Sequence, residues 1–291
     1  MTITTLPREA IKVEDIEYLR HGDQPLLARI HQPMGKGPFP LVINVHGGAW
    51  MRKDRFAGGE LDMQLAQSGI VVASLDFRMP PQAGYPASIQ DINYAVRWFK
   101  ANAARFASSA SQVCLMGFSS GAHQAILNTI RKSNPRYTAL PLAGAPGIDA
   151  GVRAVAMCSP LVDPQERFHY AIGLKAAGPH AFAERVLPGH YLYWGTEAAM
   201  AEGNPIVTLE RGEAEQTPPV LYASLMKDGS HPRVSLERFV AAYRKAGGSV
   251  DLQFFDESTG DSFMTGDPNT PAAQAAIKAV IDFIHREAGQ P

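Results

Sequence analysis

The sequence predicts an α/β fold: a mostly parallel sheet of about eight strands with helices on both faces. Short, continuous apolar runs recur at Pro40–Val45, Ile70–Leu75 and Val113–Met116, and such runs suit strands covered on both faces. Stretches with helical spacing separate them, and a strand followed by a helix, repeated, builds a parallel sheet through right-handed crossovers. The composition agrees. The chain has 291 residues, 45% hydrophobic and 19% charged. A chain of this length buries roughly 75% of its unfolded surface and needs no disulfide or metal staple.

The first two segments, Val13–Arg20 and Leu26–His31, alternate in polarity and read as a half-exposed antiparallel pair. Pro40–Val45 is the first buried strand, and it stops at His46-Gly47-Gly48. A helix over Gly59–Ser68 leads to the strand Ile70–Leu75. Pro86–Phe106 has helical spacing, with Ile89, Ile92, Ala95, Val96 and Phe99 on one stripe. The strand Val113–Met116 precedes a helix over Ala122–Ile130. Val152–Met157, Val220–Ala223 and Val250–Phe255 are further strands, and Ser235–Ala246 and Pro271–Glu287 are helices. Residues 159–217 break the rhythm, with helical and aromatic stretches but no strand. They read as a helical cap inserted in a core made of residues 1–158 and 218–291. Sites in open α/β sheets lie at the carboxyl ends of strands, so this insertion would cover the site.

Charge and cysteine content exclude several classes. Lys plus Arg is 27 and Asp plus Glu is 28, a net charge of −1, so no general basic field serves nucleic acid or anionic lipid. Cys114 and Cys158 sit in apolar runs and read as reduced core thiols. Met1–Ala10 has no apolar segment of a secretory signal, and no apolar run reaches membrane-spanning length, so a cytoplasmic protein is expected. His169, His180 and His190 lack metal-ligand spacing, and neither a metal nor another cofactor is expected. A homodimer formed through the last strand and helix is left open.

Two motifs carry chemistry. Gly117-Phe118-Ser119-Ser120-Gly121 follows a buried strand and opens a helix, as a nucleophile elbow requires. The sharp turn strains Ser119, and the flanking glycines remove Cβ atoms that would collide. The helix after it points N–H groups and a positive dipole end at the serine. His46-Gly47-Gly48-Ala49-Trp50 follows the third strand, where glycines let main-chain N–H groups approach a ligand oxygen. With the N–H of Ser120 they would make an oxyanion hole.

HGGAW followed by GFSSG in an alternating β/α chain resembles the α/β-hydrolase fold, in its HGG-type, hormone-sensitive-lipase-like esterase and lipase branch. Asp76-Phe77-Arg78 with Pro81, and Tyr85-Pro86-Ala87 with Asp91, resemble that family's segment between the two motifs. The resemblance implies hydrolysis of small-molecule carboxylic esters, with Ser119 as nucleophile and Gly47, Gly48 and Ser120 supplying oxyanion N–H groups. It places the acid at Asp228, after the strand Val220–Ala223. It places the base after the last strand, where this chain has Thr259-Gly260-Asp261-Ser262-Phe263, with Asp261 at the histidine's position.

An Asp, with a pKa near ~3.9, is a poor base at neutral pH. His231 offers a repair from the loop after the seventh strand. Turned inward, it would sit between Ser119 and Asp261, or between Asp228 and Asp261, and Ser119–His231–Asp261 is the triad that this exchange of loops predicts. Geometry and roles define a triad, not chain order. Three functions follow from these residues: an esterase acting through an acyl-enzyme on Ser119, a hydrolase-fold protein with weak or lost turnover, or a lyase or dehydratase step on the same oxyanion hole.

Overall fold

The computed structural model describes residues 5–226, 228, 230–256 and 267–289. Eight strands form one sheet in the order β1-β2-β4-β3-β5-β6-β7-β8. They are β1 (Ile11–His21), β2 (Gln24–Pro33), β3 (Leu41–Val45), β4 (Val71–Leu75), β5 (Val113–Phe118), β6 (Val155–Cys158), β7 (Val220–Leu225) and β8 (Val250–Phe255). β1 and β2 pair antiparallel, β2 runs antiparallel to β4, and every later pairing is parallel. The sheet is the one that the alternating strand and helix pattern predicts.

Side chains alternate between the two faces. Ile43, Leu115, Val155 and Tyr222 pack with Ile92 and Phe99 of α2 (Ala87–Ala101), Ile126 of α3 (Ser120–Ile130) and Phe239 of α8 (Arg233–Lys245). Val42, Cys114, Ala156 and Leu221 pack with Leu65 of α1 (Gly59–Gln67) and Phe283 of α9 (Pro271–Ala288) on the opposite face. Both cysteines are free and buried. Every residue of α3 is buried. No helix among the described residues is long and apolar enough to cross a membrane.

Two boundaries differ from the pattern by more than two residues. The helical stripe expected to run to Phe106 breaks at Ala101, because the Asn102 side chain donates to the Trp98 carbonyl (2.8 Å) and Ala107 turns left-handed at φ 51°. The strand expected from Val152 starts at Val155, because Gln216 occupies both main-chain groups of Val152 at 3.2 and 2.8 Å.

Between β6 and β7 lie α4 (Pro164–Ala176), α5 (Ala181–Gly189), a π-helical turn (His190–Trp194), α6 (Glu197–Glu202) and α7 (Pro205–Glu210). Short polar side chains start three of these helices. Asp163 accepts from the Glu166 N–H, Thr196 from Ala199 and Asn204 from Ile206. Ala171, Ala183, Val186 and Leu187 form a small core between α4 and α5. Tyr193, Trp194 and Met200 pack instead against Trp50 and Leu161. The aromatic residues of the segment thus serve both its own packing, through Phe168 and Phe182, and its seat on the turn after β3, through Tyr193 and Trp194.

Candidate active site

The carboxyl ends of the central strands align. Val45 stands opposite Gly117, Phe118 opposite Cys158, and Cys158 opposite Ala223. The turns that follow β3, β5 and β7 therefore meet at one edge.

Ser119 occupies the turn from β5 into α3 with φ 49° and ψ −116°. Its neighbours explain how a non-glycine residue holds that conformation. A Cβ on Gly121 would come within 2.1 Å of the Val45 carbonyl, and one on Gly117 within 2.6 Å of the Ala122 nitrogen. Only glycine permits so close an approach of elbow and sheet. The turn after β3 is pinned to the elbow by a hydrogen bond from the Trp50 N–H to Ser120 Oγ at 3.2 Å. Gly48 takes φ 111°, and no acceptor among the described residues meets the N–H of Gly47 or Gly48. Ser120 begins α3, where helix geometry leaves its N–H unspent.

His46 buttresses this turn. Its Nδ1–H donates to the Gly47 carbonyl at 2.8 Å, and its ring stacks on Phe77 at 4.3 Å. Burial pushes its pKa down to about 4, so it is neutral and holds the turn without charge. His123, one turn along α3, accepts from Trp50 Nε1 and donates to the Gly203 carbonyl at 2.8 Å. Burial likewise lowers it to about 4.

His231 turns inward. Its Nε2 lies 3.4 Å from Ser119 Oγ, and its Nδ1 lies 2.8 Å from Asp228 Oδ2. The carboxylate on Nδ1 is thus Asp228, whereas the expected exchange of loops gave that place to Asp261. Asp261 itself lies outside the described residues. The local cause is a tight turn. Asp228 Oδ1 accepts from the main-chain N–H groups of Ser230 (2.8 Å) and His231 (3.2 Å), which curls the chain until the imidazole meets the other carboxylate oxygen. Ser224 also donates to Oδ2 at 3.3 Å. Burial raises the Asp228 pKa, but His231 and these hydrogen bonds outweigh it, and the net shift is downward. An ionised Asp228 keeps the proton on Nδ1 and leaves Nε2 to accept from the serine hydroxyl.

Ser119, His231, Asp228, Gly47, Gly48 and Ser120 therefore converge. His285 of the last helix bonds the Ser68 carbonyl at 2.9 Å. The sequence reading missed Arg167, buried on α4 beside His231. The only signal near it was Asp163-Pro164, which marks where its helix starts.

The BD-FAE family matches residues 29–150, which hold both glycine motifs. Esterase LipC of Mycobacterium tuberculosis is 33% identical over 117 residues, covering 40% of this chain and 29% of its own length. The isoprenylcysteine alpha-carbonyl methylesterase ICME of Arabidopsis thaliana is 24% identical over 277 residues, covering 92% of this chain and 61% of its own. The chain thus spans less than two thirds of the length of these curated relatives. Among solved structures, an inhibited esterase B from Lactobacillus rhamnosis superposes with a TM-score of 0.76 at 19% identity, over 98% of this chain and 89% of that one. An esterase from the archaeon Pyrobaculum calidifontis gives 0.74 at 21%, over 94% and 85%. At such identities the likeness speaks to architecture, and the chain has the α/β-hydrolase fold.

Proposed function

We propose that the protein is a carboxylesterase-type serine hydrolase that acts through an acyl-enzyme on Ser119. The observation that carries this reading is the continuous chain Ser119 Oγ–His231 Nε2 and His231 Nδ1–Asp228 Oδ2, at 3.4 and 2.8 Å, beside the unspent N–H groups of the glycine turn. Catalytic hydrogen bonds of this kind tighten when substrate binds.

In this reading Ser119 Oγ attacks the ester carbonyl while its proton passes to His231 Nε2. The carbonyl oxygen takes the negative charge and lies against the N–H groups of Gly47, Gly48 and Ser120. One such donor is worth about 2.7–4 kcal/mol in the transition state. The C–O bond to the alcohol breaks, and His231 returns the proton to the leaving oxygen. Water repeats the sequence on the acyl-enzyme, releases the acid and restores the serine. Asp228 stays ionised and holds the imidazole in orientation. The helical segment between β6 and β7 forms the cap over this site. The esterase names of the relatives point to the same chemistry.

The test is hydrolysis of p-nitrophenyl butyrate, together with labelling by a fluorophosphonate. Wild type is expected to hydrolyse the ester and to take one label, on Ser119. Ser119→Ala is expected to lose the label and on the order of 10⁶ in kcat. His231→Ala should lose a comparable amount. Turnover that survives in His231→Ala rejects the reading.

A further inference from the structure

Arg167 is 2% exposed, and its Nε has no hydrogen-bond partner among the described residues. An arginine is almost never fully buried unless it is paired. Asp228 is the carboxylate that pulls on it electrostatically, but that group is already spent on His231. The other two charges that act on it, Arg185 and Arg52, are cations, and the Asp163 carboxyl, which faces the same cavity, is spent on the Glu166 N–H and the Asn204 side chain. Burial and these two push its pKa down to about 9, which leaves it charged at neutral pH. A buried charge without a matching anion is costly, and a structure that keeps one has a use for it.

Arg167 lies close to the candidate catalytic residues. It lines the same small cavity as His231, with Leu161, Asp163, Tyr222 and Ser235. The guanidinium lies 5.3 Å from the Trp50 ring, and Trp50 is the residue whose N–H binds the elbow at Ser120. His190 stands on the same ring at 5.0 Å, fully buried, with both nitrogens unpartnered among the described residues. Trp194 Nε1, its ring 5.4 Å from that of Trp50, is unpartnered there too. Three buried polar groups from the segment between β6 and β7 thus surround one indole beside the nucleophile.

We infer that Arg167 binds a carboxylate on the substrate, so that the preferred esters carry a negative charge away from the scissile bond. The planar guanidinium fork matches a carboxylate in two parallel hydrogen bonds, and such a pair also fixes the orientation of the ester. The cations Arg52 and Arg185 help to draw an anion in. The inference rests on the hydrolase reading for the place of the scissile bond, but the binding of a carboxylate can be measured without turnover.

Three esters provide the kinetic test: p-nitrophenyl butyrate (neutral), p-nitrophenyl hemisuccinate (charge on the acyl side) and 3-carboxyphenyl butyrate (charge on the alcohol side). Wild type is expected to favour one of the charged esters over its neutral counterpart by at least about 10-fold in kcat/KM. Arg167→Met should lower that ratio by at least about 10-fold, and Arg167→Lys should recover part of it. Absence of any preference in wild type overturns the inference, and this measurement needs no variant to fold. An equal fall on all three esters in Arg167→Met would mean that the residue only supports the fold, and also overturns it. In the Ser119→Ala background, calorimetric titration with glutarate should give binding that Arg167→Met weakens at least about 10-fold. Equal or undetectable binding in both proteins overturns the inference, as does binding of inorganic phosphate without glutarate. If wild type hydrolyses none of the three esters, the hydrolase reading fails and the titration alone decides on Arg167.

Discussion

At the scale of single residues, the site depends on one carboxylate doing two jobs. One oxygen of Asp228 holds its own loop through the N–H groups of Ser230 and His231, and the other holds the imidazole. Asp228→Asn is therefore expected to cost about 10⁴ in kcat, the size expected when the imidazole loses its anchoring carboxylate. Asp261→Asn should cost far less. Parallel kcat measurements on p-nitrophenyl butyrate decide between the two, and the reverse order would return the anchoring role to Asp261. Residue types made the serine and the glycines readable, because an elbow imposes glycine at fixed offsets from the nucleophile. The partner of His231 was less readable. Two carboxylates lay within reach of it on paper, and the choice turned on a main-chain turn that spacing alone does not describe. Arg167 was not readable at all, since a lone arginine on a helix is normally solvated.

At the scale of elements, the strands were legible one by one, whereas the insertion was legible only as a helical segment, without its separate helices. Parallel strands are apolar on both faces and stand out as short runs, whereas α4 to α7 are short helices that bury different faces against different neighbours. Their seat on the sheet is specified at a few points. The Glu202 carboxylate, at the end of α6, receives the Tyr85 hydroxyl, Arg131 Nη1 at 3.1 Å and Arg136 Nη1 at 3.3 Å. Next to it the Gly203 carbonyl receives His123. Hydrogen bonds to a charged group are worth about 1.5–3 kcal/mol, and this carboxylate is only partly exposed. Glu202→Ala is expected to lower unfolding stability by about 2 kcal/mol in a denaturant titration. A change under about 0.5 kcal/mol would show that the segment is seated by its apolar contacts alone.

At the scale of the whole molecule, buried histidines set the pH response. His46 and His123 are lowered to about 4 and His190 to about 2, in each case by burial first. His31 is lowered to about 4 by the same cause. Unfolding releases these rings to their ordinary value near ~6.5, so the unfolded chain binds more protons below that pH. Their stabilising contribution is complete above pH ~6.5 and is lost as pH falls toward about 4, at about 1.4 kcal/mol per pH unit for each ring. Asp62 opposes them. Burial raises it to about 6 despite hydrogen bonds from Ser74 and Asn44, so its contribution weakens as pH rises from ~3.9 to about 6. Burial also raises Asp163 and lowers His285, so two carboxyls stand against five imidazoles and the net sign is clear. Denaturant midpoints measured from pH 7.5 to 4.5 should fall steeply below 6.5, and a flat profile would refute neutral burial of these rings.

Asp228 and His231 hang from one bend only three positions apart. The proposed proton relay is thus a detachable cassette, separate in the chain from the nucleophile and its amide cradle. A graft or deletion of a few residues there would switch turnover on or off in a single stroke. The serine would stay poised and open to a phosphonate, at a slower rate, and the segment that joins β8 to α9 would be released from any need to carry a histidine.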